Sequence, residues 1–375
     1  MDYFFISSNS NWGGSEILWS QAAMQLQKEG NTVRFGVKYN AGVVKDLANS
    51  GASYCNLNND YSSKPLLQRA LIKGKRKLLG YKEPFLQYLL QQRPSLVIIS
   101  QGNNIDGNPY MTACRNLGIP FVTITQLVTK MLLTFTDDTV INELRANYAA
   151  SRSNYFVSAD NLALHTTMMG ESLSNSIIVG NPFAVPYEVS ASFPFFPDNK
   201  YRVAVVGRLE MYHKGHDLLF EVLQQDKWRD RNIEFSVYGN GPHKQLLERL
   251  VKKCNLQNVS FRGQTDSVAD IWKNHQLLVL PSRMEGQSLA LIEAMWCSRS
   301  AVVTDVGGAK QLLEDNIGFV SAFPTVYHLD QALEEAWLMR DQWKQLGIKA
   351  GQRIRNIYTE HPVLSFVNRL KTVQG

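Results

Sequence analysis

Short apolar runs rich in Val, Ile and Phe recur along the chain, and between them apolar residues return every three or four positions. "YFFIS" at 3–7 reads as a strand, "SNSNWGGSE" as a polar loop, and "ILWSQAAMQLQKEG" as a helix stopped by Gly30. "TVRFGV", "SLVIIS", "PFVTIT" and "YFVSA" are further strands, each flanked by helical or turn sequence. Apolar β-branched runs alternating with helices indicate parallel βαβ units covered on both faces. The first half is therefore expected to be doubly wound.

Four prolines, Pro182, Pro186, Pro194 and Pro197, interrupt the rhythm in "IIVGNPFAVPYEVSASFPFFPDNKY" and predict a linker. The alternation then restarts with "YRVAVVG", "IEFSVYG", "VSFRG", "LLVLPS" and "SAVVTD" as strands separated by helical stretches. The expected domains are 1–185, a linker at 186–200, a second α/β domain at 201–355, and a C-terminal helix within 356–375 that returns to the first. A length of 375 residues suits two cores rather than one.

Composition narrows the class. Four scattered cysteines, Cys55, Cys114, Cys254 and Cys297, have no C-x-x-C spacing, which speaks against a zinc site or a disulfide framework. No apolar run approaches the roughly 18 residues of a membrane span, and the start lacks the features of a signal peptide, so a cytoplasmic protein is expected. The net charge of +6 is unevenly placed. Eight Lys/Arg against two acids between 60 and 93 match the excess of the whole chain. The mixture of leucines and cations at 64–82 fits a helix lying on an anionic membrane, or a solvated helix covering the first domain. It lacks the interleaved aromatics of a nucleic-acid platform, and no nucleic acid is expected as partner.

The candidate chemistry lies in the second domain. In "PSRMEGQSLALIEAM" a strand ends at Pro281-Ser282 and a helix starts near Ser288, whose unpaired first amides and dipole form an anion cradle. Such a turn lies at the carboxyl end of a strand, where ligands of open α/β sheets gather. Glu285 is in the loop. Glu293 lies one turn past Leu289 amid Leu289, Ile292, Ala294 and Met295, apolar surroundings in which a carboxylate needs a partner. In "VGRLEMYHKG", Arg208 follows a strand and Lys214 precedes a helix, two cations able to neutralise a diphosphate. Each feature alone also fits an ordinary surface residue. A nucleotide sugar, with hydroxyls on both sides of its phosphates, suits their combination.

These motifs, with "VYGNGP", "FRGQT" and "AVVTDVGG", stand in an order that resembles the retaining glycosyltransferases of family 4, which have the two-domain GT-B fold. The resemblance covers nearly all of the second domain and reaches the first mainly through "WGGSE". It implies two Rossmann-like, doubly wound parallel-sheet domains facing a cleft. It further implies an enzyme that moves a sugar from a UDP- or GDP-sugar to a hydroxyl of a glycan or lipid-linked acceptor, in cell-surface polysaccharide biosynthesis. Glu285 would hold donor-sugar hydroxyls and Glu293 the ribose. Gly286 and the amides of Gln287, Ser288 and Leu289 would meet sugar and diphosphate, and Arg208 and Lys214 would stabilise the leaving diphosphate. Gly239, Gly241 and Gln264 would wall the base, and Gly13 and Gly14 would let the backbone approach the ligand, or simply form a tight turn. Where the family commonly has a histidine, "PFVTITQ" offers Gln126, which can bond a hydroxyl but cannot act as a base. No cofactor and no metal are expected. A hydrolysing or epimerising enzyme, and a nucleotide-sugar-binding module without catalysis, are the open alternatives. Peripheral docking at the inner membrane face through 64–82 is a further expectation.

Overall fold

The computed structural model describes all residues except 11, 40–41, 58–83, 131–136, 190, 266, 359–360 and 374–375. The basic segment 64–82 lies outside the described residues. The chain divides into two compact units, one made of Met1–Pro182 with His361–Gly375, the other of Phe183–Glu360.

The first unit is built on a seven-stranded sheet: β1 (Asp2–Ser7), β2 (Thr32–Val37), β3 (Ser53–Asn56), β4 (Leu96–Gln101), β5 (Phe121–Thr125), β6 (Asn154–Phe156) and β7 (Ser176–Ile178). Their order is β3-β2-β1-β4-β5-β6-β7, and every pairing is parallel. Strands β1, β4 and β5 are almost entirely buried, as a central parallel sheet covered on both faces demands. The order reverses between β1 and β4, so the loops after these strands diverge and open a crevice there. The C-terminal helix Pro362–Thr372 packs on this unit. Phe366, Val367 and Leu370 join the core that holds Leu18, Ala22 and Leu26 of the helix Ile17–Lys28, and Lys371 Nζ meets Glu29 at 2.6 Å.

The second unit carries a six-stranded parallel sheet of β8 (Tyr201–Val206), β9 (Ile233–Tyr238), β10 (Val259–Gly263), β11 (Leu277–Leu280), β12 (Ser300–Thr304) and β13 (Phe319–Ser321). The order is β10-β9-β8-β11-β12-β13. Two apolar cores cover its faces, one around Trp228, Phe235 and Leu277, the other around Trp272, Leu291 and Met295.

The proline-bearing stretch 186–200 belongs to this second unit, and the division of the chain falls before it, between Pro182 and Phe183. Apolar residues in it and just before it are the reason: Val185 and Ala191 are buried, and Phe183 and Tyr187 pack their rings on Trp296 at 5.0 and 5.3 Å between centroids. Arg299 fastens the stretch. This fully buried guanidinium donates to the carbonyls of His275 (2.7 Å), Ala191 (3.3 Å), Cys297 (2.7 Å), Ser298 (3.3 Å), Ser192 (2.7 Å) and Trp272. Burial lowers its pKa to about 10, so it stays charged at neutral pH. Removing it strands several buried carbonyls at once. Arg299→Met is expected to lower the unfolding free energy of the second unit by about 3 kcal/mol or more in urea titrations, with Arg299→Lys recovering only part of it.

Candidate functional site

At the carboxyl edge of the second sheet, the loops after successive strands are bonded to one another through their backbones. Gly207 N–H donates to Tyr238 O and Leu209 N–H to Asn240 O, both at 3.0 Å, and Gly239 N–H to Gly263 O at 2.8 Å. Gly239 is needed at this seam: its φ is +136°, and a Cβ there would run into the Gly207 carbonyl. Gly241 backs onto the Leu209 carbonyl in the same way, whereas Gln264 is exposed at the rim. "VGRL" and "YGNGP" thus form one continuous wall.

The loop after β11 is fixed from the other side. Gly308 N–H donates to Gly286 O at 3.1 Å, and Gly307, at φ +57°, presses so closely on the Glu285 and Gly286 carbonyls that no side chain fits. Ser288 caps the helix Leu289–Trp296, its hydroxyl accepting from Leu291 N–H at 3.4 Å. Gln287, Ser288 and Leu289 therefore stand at the positive end of this helix.

Glu285 and Lys214 meet here although 71 positions separate them. Lys214 Nζ lies 2.5 Å from Glu285 Oε1, which also accepts from Ser282 Oγ at 2.8 Å. Both side chains are only partly exposed, at 24% and 11%. The pair presents one cation and one acceptor side by side next to the helix start. Arg208 is exposed just past β8 and makes no ion pair with a described residue, so its charge is available to an anion. His216, beside them in sequence, is buried, and burial lowers its pKa to about 4, which keeps it neutral.

Glu293 sits differently. It is 6% exposed, faces the apolar side of its helix, and accepts one hydrogen bond from Ala184 N–H at 3.0 Å. Burial raises its pKa to about 7.

In the first unit Gly14 opens a short turn, Gly14–Glu16, and Gly13 has an extended backbone with open space where a Cβ would stand. Gln126 is buried and exchanges hydrogen bonds with Asn181: Asn181 Nδ2 donates to Oε1 at 2.7 Å, and Gln126 Nε2 donates to Asn181 Oδ1 at 3.3 Å. Its amide ties the end of β5 to the segment that closes the first unit's sheet. Asp137, beside Asp138 and so a conceivable cation ligand, instead caps the helix Asp138–Ala150 by accepting from Val140 N–H at 3.0 Å.

Two acids of the first unit escape sequence reasoning. Glu16 is fully buried beneath the glycine turn and accepts from Tyr39 OH (2.6 Å), Trp19 Nε1 (2.9 Å) and Asn9 Nδ2. Asp106 stands in the crevice between β1 and β4. Its carboxylate accepts from Ser8 Oγ at 2.6 Å and Asn103 N–H at 3.2 Å, and burial raises its pKa to about 6, the hydrogen bonds opposing the rise. Lys38 closes the cluster, its ammonium 3.4 Å from Ser8 O. The one available signal is "QGNNIDG", an Asn/Asp/Gly loop directly after the apolar strand "SLVIIS".

The fold is GT-B, two Rossmann-like parallel-sheet units. It resembles the Anabaena Alr3699/HepE structure in complex with UDP, with a TM-score of 0.75 over 99% of this chain and 100% of that one at 13% identity. Residues 200–337, within the second unit, match the family model of glycosyl transferases group 1. The chain is 26% identical over 208 residues to a subunit of the Homo sapiens phosphatidylinositol N-acetylglucosaminyltransferase, covering 55% of this chain and 42% of that protein. It is 34% identical over 105 residues to the poly(ribitol-phosphate) alpha-N-acetylglucosaminyltransferase of Staphylococcus aureus, 28% of this chain and 21% of that protein. The matches thus span less than half the length of these curated relatives.

Glu293 generates a pH prediction. Its folded pKa, about 7, exceeds the ordinary 4.5, so the folded state holds the proton more tightly. Its contribution therefore favours folding at low pH and is lost as pH rises from about 4.5 through about 7, an effect of at most about 3 kcal/mol. Glu293→Gln is expected to gain stability relative to the parent between about pH 5 and pH 8, read from chemical denaturation at each pH. A constant difference would contradict the buried, proton-holding carboxyl.

Proposed function

We propose that the chain is a retaining glycosyltransferase that moves a sugar from a nucleotide diphosphate donor to a hydroxyl of a glycan or glycolipid acceptor. The observation that carries this reading is the Lys214–Glu285 pair set against the start of the helix Leu289–Trp296, with Arg208 beside it on the same strand edge. Cation, acceptor and helix amides converge where a diphosphate and its sugar would lie. The names of the relatives, both N-acetylglucosaminyltransferases, and the UDP in the similar structure support the substrate class.

In this mechanism the diphosphate rests on the amides of Gln287, Ser288 and Leu289. Lys214 and Arg208 stabilise the charge that grows on it as the glycosidic bond breaks. Glu285, held by Ser282 and Lys214, accepts from sugar hydroxyls. Glu293 accepts from the ribose, whose hydroxyls would supply donors to a carboxylate that has a single hydrogen bond to Ala184. Gly239, Gly241 and Gln264 border the base. The acceptor is assigned to the first unit, at the crevice of Ser8, Lys38 and Asp106 beside Gly13 and Gly14. Gln126 has its side-chain amide paired with that of Asn181 and acts by holding that pair rather than by touching the sugar. Retention follows a front-face course, with the leaving phosphate taking the acceptor's proton, and needs neither metal nor cofactor. The site of action is the cytoplasm at the inner membrane face, in cell-surface polysaccharide synthesis. No helix among the described residues is long and apolar enough to cross a membrane.

Thermal melting with UDP, GDP, ADP and their sugars tests this. At a hundredfold excess over Kd a ligand stabilises by about 2.7 kcal/mol, a Tm rise of about 5–10 °C for a unit of this size. UDP or a UDP-sugar is expected to give it, and Arg208→Ala and Glu293→Ala to lose most of it. Full shifts in both variants would dismiss the site. Nucleoside diphosphate released only when an acceptor is present marks a transferase, release without acceptor a hydrolase, and binding without turnover a binding module.

A further inference from the structure

Lys214 and Glu285 belong to different strand-end loops, and an ammonium on a four-carbon stem has no fixed position of its own. Something must hold the two loops in register. Arg283 lies two residues before Glu285 and reaches back to the Lys214 loop. Its guanidinium grips Asp217 with two nitrogens, at 2.8 and 2.7 Å, and donates to Met211 O at 2.8 Å. Its backbone N–H donates to His213 O at 2.7 Å, and Met284 N–H adds a longer bond of 3.2 Å to the same carbonyl. Met211 and His213 belong to the short helix Met211–Lys214, and Asp217 to the first turn of the next helix, His216–Leu223. One residue thus joins the β11 loop, the Lys214 turn and the helix behind it.

We propose that Arg283, with Asp217, is a positioning residue that sets Lys214 against Glu285 and so builds the diphosphate end of the site before ligand arrives. This rests on the nucleotide reading above. The two-toothed geometry matters, because a planar guanidinium fixes both angle and distance, whereas a lysine in its place offers a point charge and loses the simultaneous contact with Met211. Asp217 and Arg283 touch each other and the backbone. Their effect on ligand passes through Lys214 and Glu285.

The distinguishing measurement is NMR titration of UDP and of uridine, which lacks the phosphates. Arg283→Met is expected to weaken UDP about tenfold and leave uridine within about twofold. Asp217→Asn should do the same, the double variant should be no worse than either single one, and Arg283→Lys should fall between. Uridine binding itself reports that the site is folded, and Asp217→Asn serves as the milder second variant. Equal loss of UDP and uridine, or no loss of either, overturns the proposal, as does additivity of the two variants. If the parent protein binds neither UDP nor GDP, the nucleotide reading fails and this inference falls with it. Parent binding with an unaffected Arg283→Met fails this inference alone.

Discussion

A parallel strand can be joined to its neighbour only by a crossover that carries the chain back to the starting edge. Every strand of each sheet then delivers its carboxyl end, and the loop that follows, to one side. Both units obey this without an antiparallel pair among the described strands. In the second unit that side collects the loops after β8, β9, β11 and β12, which bear Arg208 and Lys214, Gly239, Glu285, and Gly307. Residues scattered far apart along the chain are neighbours because the sheet leaves them no other edge. The loops are then locked by backbone hydrogen bonds and by glycines too close for any Cβ, so the geometry depends little on side-chain packing.

The same constraint gives each helix a direction, and the second unit uses both ends of it. The helix Leu289–Trp296 begins just after the loop that carries Glu285, so its first amides and the positive end of its dipole come at the same strand edge as the Lys214–Glu285 pair, a setting that favours an anion. Its other end leaves carbonyls that need donors, and cations supply them: Arg299 takes Cys297 O, and Arg355 takes Trp296 O at 2.8 Å. Arg299 also draws in the carbonyls of the 191–192 stretch, so the chain entering the unit is pinned by the group that completes the helix. The single residue Arg299 therefore couples the entry of the unit to the end of the helix that begins at the carboxyl edge of the sheet.

The second unit was legible in the sequence because its strands are long enough to show apolar runs and its loops carry glycines whose spacing is constrained by close backbone contact. The short edge strands β3, β7 and β13, of three or four residues each, were not, since so few positions display no period. Residues 186–200 read as a spacer because the prolines in and around them mask residues such as Val185 and Ala191, which pack without any regular element to give them a rhythm. Arg208, Glu285 and Glu293 could be named from their place after strands or inside an apolar helix. The contact of Lys214 with Glu285 could not, because it depends on which loops the strand order brings together. Glu16 and Asp106 were hidden for another reason. Each has one partner from a distant segment, Tyr39 OH for Glu16 and Ser8 Oγ for Asp106, and the nearby donors alone do not distinguish a buried acid in a polar loop from a solvated one.

The two glutamates on either side of the helix start show how one chemical group acquires two settings, and the proposed function gives each a different role. Glu285 is held by an ammonium and a hydroxyl, so its charge is already balanced and its oxygens point along fixed directions, as suits discrimination among sugar hydroxyls. Glu293 has a single backbone donor and apolar neighbours, and its burial raises its proton affinity toward neutrality. A carboxylate left in that condition gains most from a ligand that brings two hydroxyl donors at once, because each new hydrogen bond offsets desolvation already incurred on folding. Neither is placed to exchange a proton with the reacting carbon's substituents in this scheme. In the proposed site the asymmetry of their surroundings would orient a ligand: the sugar toward the balanced acid, the ribose toward the acid with a single donor, and the diphosphate across the helix amides between them.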